Sequence, residues 1–472
     1  MTELKLVMKQ GCETCLMIEP LVPQIAKAHK LEVICQDSSS FPANVPVTFD
    51  ESLEQSFKLN IEIVPTLIVM RDGQESSRIF GWDETAWSGL LGIAFDTDLP
   101  KFRPGCGSMT HDPGRQAELA ARFAPERLRS RRLNFDHADE LEVGFDQGWS
   151  DGLPVVPPTP ERVMRMLEGT HREPAEVIGR VPPDYAVCTI EKVAINAVLA
   201  GCLPEYLPVV ITAVEAVLED QFCMHGLLAT TYFSGPLLIV NGPLSRSIGM
   251  NSGGNALGQG NRANATIGRA LQLLIRNVGG GKPGGVDRAA LGNPGKYTFC
   301  FAEDEVNSCW DSLSIERGFS KETSTVTVFA ADGMQGLVDQ KSRTPESLCR
   351  SFASGLRVIG HPKMVMGSDA FLVVSPEHER VFREGGWSKQ ELKSRLLELL
   401  MIPGEELIQG AGGISEGIPV GLSDRILCKF RPDGLNIVRA GGSAGLFSAI
   451  IAGWGASGSM GSVPVTREIV LA

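Results

Sequence analysis

Two cysteines separated by two residues, Cys12 and Cys15, follow a short apolar run and precede a segment with helical spacing. A reactive pair of this kind lies where a strand turns into a helix, because the positive end of the helix dipole lowers the pKa of the first thiol. We therefore expect Cys12 to be exposed and nucleophilic, and Cys15 to resolve the mixed disulfide that Cys12 forms. The motif predicts a redox-active disulfide and thiol–disulfide exchange.

Apolar periodicity through position 98 predicts the element order βαβαββα. The predicted strands span Leu4–Met8, Leu31–Cys35, Thr66–Met70 and Ser77–Gly81, and the predicted helices span Leu16–His29, Glu51–Leu59 and Glu84–Phe95. This order predicts an N-terminal α/β domain.

Residues 1–98 resemble the thioredoxin family in three motifs, namely Cys12-Glu-Thr-Cys15, Pro20 in the following helix, and Val64-Pro65-Thr66 before the third strand. The resemblance implies a cis peptide bond before Pro65, in a loop beside Cys12 whose backbone pairs with a bound thiol partner. Thioredoxins favour Gly-Pro between the cysteines, whereas this chain has Glu13 and Thr14. Because Glu13 places a negative charge beside the thiolate, the family's redox potential and partners do not carry over.

A metal site is the main alternative for the cysteine pair, with zinc or iron bound by Cys12 and Cys15. Structural zinc requires four protein ligands, and no second close Cys or Cys/His pair occurs in the first hundred residues. A degenerate, inactive module is a further alternative. We expect Cys35 to be a core residue of its strand.

Length and composition limit the remaining classes. A chain of 472 residues with 43% hydrophobic and 21% charged residues is long enough for two or three globular domains. The net charge of −12 argues against a nucleic-acid partner, because the one basic run, Arg127–Arg132, is short. Eleven mostly isolated cysteines, the absence of a signal pattern and the absence of long apolar runs predict a bacterial-type cytoplasm and no membrane partner.

Residues 99–140 are predicted to be a Pro/Gly-rich linker followed by a polar helix from Arg115 to about Arg131. Cys106 lies in this linker between glycines, so we expect it to be exposed and mobile. Our hypothesis is that Cys106 is a shuttle thiol, or a site thiol given to the following domain, with His111 near enough to assist. The alternative is an incidental loop cysteine.

Residues 141–472 are predicted to form a larger α/β domain with a parallel or mixed sheet whose ligands lie beyond the strand ends. Two similar strand-to-turn segments, Pro236–Asn241 and Ala370–Ser375, suggest two related lobes with a boundary near 335. The predicted helices include 160–168, 190–200, 206–218 and 263–277.

A glycine-rich loop before the last of these helices is predicted to bind an anionic substrate, since its backbone N–H groups are free. The predicted binding residues are Asn251, Ser252, Gly253, Gly254, Asn255 and Arg262. Glycine-rich loops at 441–445 and 453–458 are expected to line the same cleft. Tight packing or a contact between subunits of a homo-oligomer is the alternative.

Cys223 and His225 are the catalytic candidates of the larger domain, because an imidazole two residues away can activate a thiol or share a metal with it. A buried structural cysteine is the alternative. Weaker candidates are Cys202, Glu205, His361, His378, and the acidic run 303–305 between Cys300 and Cys309, which is otherwise a solvated surface.

The segments DGLPVVPPT, AINAVLAGCLPEYLPV, GNPGKYTFCFAEDE and GGSAGLFSAII are similar to those of an uncharacterised bacterial family sometimes associated with UGSC-family proteins. This resemblance covers residues 141–472 and implies no activity.

Two functional classes remain. In the first, the dithiol reduces, or transfers sulfur to or from, a large domain that acts on a small anionic molecule, and a dithiol reductant or a thioredoxin reductase-type donor restores it. In the second, the protein is a redox-sensing binding or scaffold protein without turnover. A metal-dependent lyase or hydrolase with an accessory thioredoxin domain is a further alternative, and it would require a metal ion as cofactor.

Overall fold

The computed structural model describes residues 2–135, 139–367, 369–454 and 462–471. The chain divides into two units, the first containing 1–127 and 160–165 and the second containing 128–159 and 166–472. Both units combine helices with mixed sheets, so the fold class is α/β. The predicted linker therefore does not separate the units as expected, because residues 99–127 belong to the first unit.

The first unit contains a five-stranded sheet in the order β3-β2-β1-β5-β6. Strands β1, β2 and β3 are parallel to one another, and β5 is antiparallel to both of its neighbours, β1 and β6. Its strands are β1 (Thr2–Met8), β2 (Leu31–Cys35), β3 (Val47–Phe49), β4 (Ile63–Val64), β5 (Thr66–Arg71), β6 (Gln74–Phe80), β7 (Trp82–Asp83), β8 (Phe102–Arg103) and β9 (Cys106–Gly107). Its helices are α1 (Glu13–Ile18), α2 (Val22–Ala28), α3 (Glu54–Lys58), α4 (Glu84–Leu91) and α5 (Arg115–Phe123).

The predicted elements of this unit are present with shorter helices. A 3₁₀ turn at Glu19–Leu21 divides the first predicted helix into α1 and α2 where Pro20, which lacks an N–H group, stands. Helix α4 ends at Leu91 because Gly92 adopts a left-handed backbone with φ of 65°. The edge strand β3 was not predicted.

The second unit has a seven-stranded sheet in the order β13-β12-β14-β19-β15-β18, with β20 paired to β14. Its strands are β10 (Val177–Val181), β11 (Ala186–Thr189), β12 (Gly235–Asn241), β13 (Cys300–Ala302), β14 (Thr325–Val338), β15 (Ala370–Val374), β16 (Met401–Pro403), β17 (Ile426–Cys428), β18 (Leu435–Arg439), β19 (Phe447–Gly453) and β20 (Val465–Glu468). Its helices are α6 (Glu140–Asp146), α8 (Ile190–Ala200), α9 (Leu207–Val217), α10 (Met224–Ala229), α11 (Pro243–Ser247), α12 (Arg262–Asn277), α13 (Leu313–Glu316), α14 (Pro345–Val358), α15 (Pro376–Glu384), α16 (Lys389–Leu399) and α17 (Gly404–Leu407). Helix α7 (Pro160–Leu167) lies mostly in the first unit.

The large sheet curls until its two edge regions meet. The backbone N–H of Asp304, just after β13, donates to the carbonyl oxygen of Arg439 at the end of β18, at 2.8 Å. One buried cluster contains side chains from all six strands of the main path, among them Ile239, Phe301 and Phe371. Alternate residues of β15, such as Leu372, pack instead against α14, α15 and α16. Because successive side chains of a strand point to opposite faces of the sheet, one core lies on the inner face and another on the outer face.

The predicted boundary between two lobes near 335 is wrong. It falls inside β14, a continuous strand that pairs with β12 at one end and with β19 at the other. The two strands that suggested a repeat, β12 and β15, lie in this same sheet and run in opposite directions. Similar local patterns arose here because both strands are buried on both faces, which selects the same apolar residues.

Among the described residues, no helix combines the length and the apolar composition needed to cross a bilayer.

Candidate functional site

Cys12 is the N-cap residue of α1, in the turn that follows β1. The backbone N–H of Cys15 donates to the Cys12 Sγ at 3.4 Å, so the sulfur stays at the start of the helix. Both cysteines are 0% exposed. The expectation that Cys12 is exposed is therefore wrong, and a later segment of the chain explains why.

Residues 100–108, which we call the covering segment, lie over the Cys12 turn. Thr14 Oγ1 donates to the carbonyl oxygen of Pro104 at 2.7 Å, and Lys9 Nζ donates to that of Gly107 at 2.7 Å. Arg103 also forms an ion pair with Glu13, one of the two residues between the cysteines. These contacts bury Cys12 and hold the part of the chain that was predicted to be a mobile linker.

The covering segment pairs with the loop that precedes Pro65. Strands β4 and β9 are antiparallel, with Val64 opposite Cys106, and the peptide bond between Val64 and Pro65 is cis. The carbonyl oxygen of Val64 lies 3.4 Å from the Cys12 Sγ. The loop that the resemblance assigned to a bound thiol partner is thus paired with this chain's own Cys106.

Cys106 brings a third sulfur to the pair. Its Sγ lies 2.7 Å from the Sγ of Cys12, and its side chain is half-buried. The prediction of an exposed cysteine is wrong because β9 holds the residue against Val64. The His111 ring contacts Thr110 Oγ1 at 3.1 Å and the Gln116 amide at 3.3 Å, so its assistance to Cys106 stays a prediction.

The three thiols have different acidities. The Cys15 thiol contributes most to lowering the pKa of Cys12 to about 5, and the Cys106 thiol and the N–H groups of Cys15 and Thr14 add to the effect. Burial raises the pKa of Cys15, and the neighbouring Cys12 raises it further. Burial and the contact with Cys12 also raise the pKa of Cys106. At neutral pH, one thiolate on Cys12 therefore lies between two protonated thiols.

The described residues contain no group of three or more His, Cys, Asp or Glu side chains arranged to hold a metal ion. No described cysteine is in a disulfide bond.

The predicted anion-binding loop uses its polar side chains internally. Asn251 Nδ2 donates to the carbonyl oxygen of Gly254 at 2.9 Å, and the Asn251 Oδ1 accepts from the Gly253 N–H at 2.9 Å. Asn255 Nδ2 donates to Gln259, and Arg262 Nε donates to the carbonyl oxygen of Gly201. These contacts favour the packing alternative for this loop.

The same loop meets the 441–445 loop, as predicted. The Gly441 N–H donates to the carbonyl oxygen of Ser252 at 2.9 Å, and Asn255 and Gly442 line one cavity of about 360 Å³. No charged residue lines this cavity in the described part of the chain. Most of the 453–458 loop lies outside the described residues.

Cys223 and His225 have different surroundings. Cys223 has a left-handed backbone with φ of 55°, and a Cβ at Gly226 would meet its Sγ at 2.8 Å. The His225 ring is exposed and stacks on Tyr185, with 5.7 Å between the ring centroids. A shared catalytic role of the two residues stays a prediction.

The acidic run between Cys300 and Cys309 is not a solvated surface. Glu303 is 6% exposed and accepts from Asn241 Nδ2 at 2.7 Å and from the Leu313 N–H at 2.8 Å, and burial raises its pKa. Asp304 forms a buried ion pair with Arg439, which also contacts Glu379 at 2.7 Å. The run belongs to a charged cluster inside the unit, and its burial explains why it follows an apolar strand.

Several residues of this cluster were missed by the sequence analysis, namely Asn241, Glu379 and Arg439. Asn241 and Arg439 each end an apolar strand, which is a weak but readable signal. Glu379 lies in the first turn of an amphipathic helix, a position where acidic residues are common at the surface.

No protein-family model matches the chain, and no curated protein matches it at a significant level.

Proposed function

We propose that the first unit is a thiol–disulfide exchange module in which Cys12 is the nucleophile and Cys106 is its first exchange partner. The single observation that carries the proposal is the 2.7 Å separation of the two sulfurs. The low pKa of Cys12 supports it, because the thiolate is the attacking species and is present at neutral pH. A thioredoxin-like fold for this unit is part of the proposal, supported by the sheet order and by the position of the Val64 carbonyl oxygen beside the Cys12 Sγ.

The reaction begins with Cys106 joined in a mixed disulfide to a small thiol compound. The Cys12 thiolate attacks the Cys106 sulfur, a Cys12–Cys106 bond forms, and the small thiolate leaves and takes up a proton. Cys15 then attacks Cys12 and passes its proton to the departing Cys106 sulfur. The products are a Cys12–Cys15 disulfide and a free Cys106 thiol, and an external dithiol donor reduces the disulfide to complete the cycle.

The covering segment makes Cys106 the proposed intermediary between an outside molecule and Cys12. Cys12 and Cys15 are both fully buried, whereas Cys106 is partly exposed at the same site. An outside molecule therefore meets Cys106 before it meets Cys12. Because Cys106 belongs to the same chain, its exchange with Cys12 is intramolecular, which raises the effective concentration of Cys106 at Cys12.

The role of the second unit follows from the same proposal. We propose that the second unit transforms a small anionic molecule. The thiols of the first unit would reduce the second unit, or transfer sulfur to or from it, after each turnover. The proposed location is a reducing cytoplasm, which suits a chain with eleven mostly isolated cysteines. Redox sensing without turnover is the second candidate, and it is favoured by the covering of Cys12.

Trapping the exchange intermediate tests the proposal. In a Cys15→Ser variant, the resolving thiol is absent, so mild oxidation should accumulate a Cys12–Cys106 disulfide that peptide mapping detects. Cys35→Ser is the matched control, because Cys35 is equally buried but contacts Asp37 at 3.3 Å. Recovery of Cys12 joined to glutathione alone would count against the proposal. The amount of dithiol reductant consumed in the presence of substrate distinguishes an enzyme from a sensor. An enzyme consumes many equivalents per chain, whereas a sensor consumes one.

A further inference from the structure

The second unit contains a cavity of about 490 Å³ that the sequence analysis did not identify. It lies between α10, the start of β12, the last turns of α12 and the loop 281–297. Part of its wall is apolar, formed by Met224, Leu227, Leu228 and Ile275. The volume is within the range of small-molecule sites, which combine apolar walls with a few placed polar groups.

Arg276, near the end of α12, is an uncompensated cation in this wall. Its Nε is buried and has no hydrogen-bond partner, and no acidic side chain of the described chain lies within ion-pair distance. Each of the other charged residues in the cavity wall has a partner of opposite charge. Asp151 pairs with Arg269 at 2.8 Å, and Lys296 pairs with Asp287 at 2.7 Å. A buried donor without an acceptor is destabilising, so a bound acceptor stabilises this site, and a negatively charged acceptor suits it best.

Asn293 places an unpaired acceptor in the same wall. Its Nδ2 donates to the carbonyl oxygen of Phe233, which fixes the orientation of the amide. Its Oδ1 is buried and has no partner. A ligand that satisfies the cavity therefore needs a hydrogen-bond donor as well as a negative group.

We infer that this cavity binds a small monocarboxylate that has an apolar body and a hydroxyl group. The carboxylate pairs with Arg276, the hydroxyl donates to Asn293 Oδ1, and the apolar body lies against Leu227 and Leu228. One uncompensated positive charge balances a single negative charge, which favours a carboxylate over a phosphate dianion. The inference stands apart from the thiol chemistry of the first unit and places the anion away from the 251–262 loop.

Calorimetric titration of the full chain tests this site with three matched probes. These are 2-hydroxy-4-methylpentanoate, its neutral amide, and 4-methylpentanoate, which lacks the hydroxyl. We expect the hydroxy acid to bind, and each of the other two to bind at least about tenfold more weakly. Absence of heat from the hydroxy acid at millimolar concentration would overturn the inference, as would equal binding of the acid and the amide.

Variants assign the binding to the cavity. Arg276→Gln should lose at least about tenfold in affinity, while Arg276→Lys should retain part of it because the charge remains. Arg350→Gln is the control, since Arg350 is an exposed residue of α14 in an ion pair with Glu346. The unfolding midpoint of each variant without ligand shows whether it is folded. A folded Arg276→Gln protein that binds the acid as tightly as the parent would refute the site.

Discussion

The Sγ atoms of Cys12 and Cys106 lie 2.7 Å apart although 94 positions separate the residues in the chain. The contact is made across the antiparallel pairing of Val64 with Cys106, so backbone hydrogen bonding places the third sulfur. Cys12 consequently has two possible disulfide partners within one site.

Removing the Cys106 thiol should raise the pKa of Cys12, because a donor to its thiolate is lost. In the parent chain, the pKa of about 5 means that the thiolate is present above that pH and is lost below it. We expect Cys106→Ala to move the midpoint upward by about one unit. The measurement is thiolate absorbance against pH, with Cys12→Ser as the blank. Cys106→Ser retains a hydroxyl donor and should stay near the parent, so an unchanged midpoint in the alanine variant would contradict the contact.

A methyl group at Gly105 should open the covering segment. A Cβ there would collide with the Ile63 side chain and lie 2.6 Å from the carbonyl oxygen of Val64. Gly105→Ala should therefore speed alkylation of Cys12 by about tenfold or more, which corresponds to ~1.4 kcal/mol in the free energy of opening. Gly107→Ala is the control, since a Cβ at Gly107 meets no atom within 4 Å. Equal rates in the two variants would show that the segment does not limit access.

Replacing Arg439 should destabilise the second unit strongly. Arg439→Leu leaves the buried carboxylates of Asp304 and Glu379 without their cation, and such a loss costs about 3–5 kcal/mol. Arg357→Leu removes a more exposed pair with Glu406 and should cost no more than about 1 kcal/mol. Urea unfolding followed by tryptophan fluorescence compares the two. Similar midpoints would mean that the buried cluster is not structural.

Lys429 should make the unfolding free energy depend on pH in an alkaline window. Burial lowers its pKa to about 8, while its Nζ donates to the carbonyl oxygens of Ile359 and His361 at 2.9 and 2.7 Å. The unfolded chain thus binds more protons between pH 8 and the unperturbed value of about 10.4, so stability rises with pH across that window. Lys429→Met should lack this rise in urea unfolding measured at several pH values. A parallel pH dependence in both proteins would contradict the assignment.

Local signals in the sequence were sufficient for several elements. Helix α8 spans Ile190–Ala200 as predicted, and β12 and β15 agree with their apolar runs to within one residue at each end. These elements could be predicted because the spacing of apolar residues along each of them is visible in the sequence. The covering segment has no such signal, since β8 and β9 have two residues each and exist because they pair with β7 and β4.

The sequence by itself determined the α/β class, the Cys12–Cys15 turn and the choice of Cys106 as a thiol worth testing, because these depend on spacing and residue type. The tertiary structure alone decided that Cys12 is buried, that Cys106 is the sulfur beside it, and that Arg276 faces a cavity without a counter-charge. Contacts between distant residues and the accessibility of a side chain result from how the whole chain packs. No local pattern of residues specifies them.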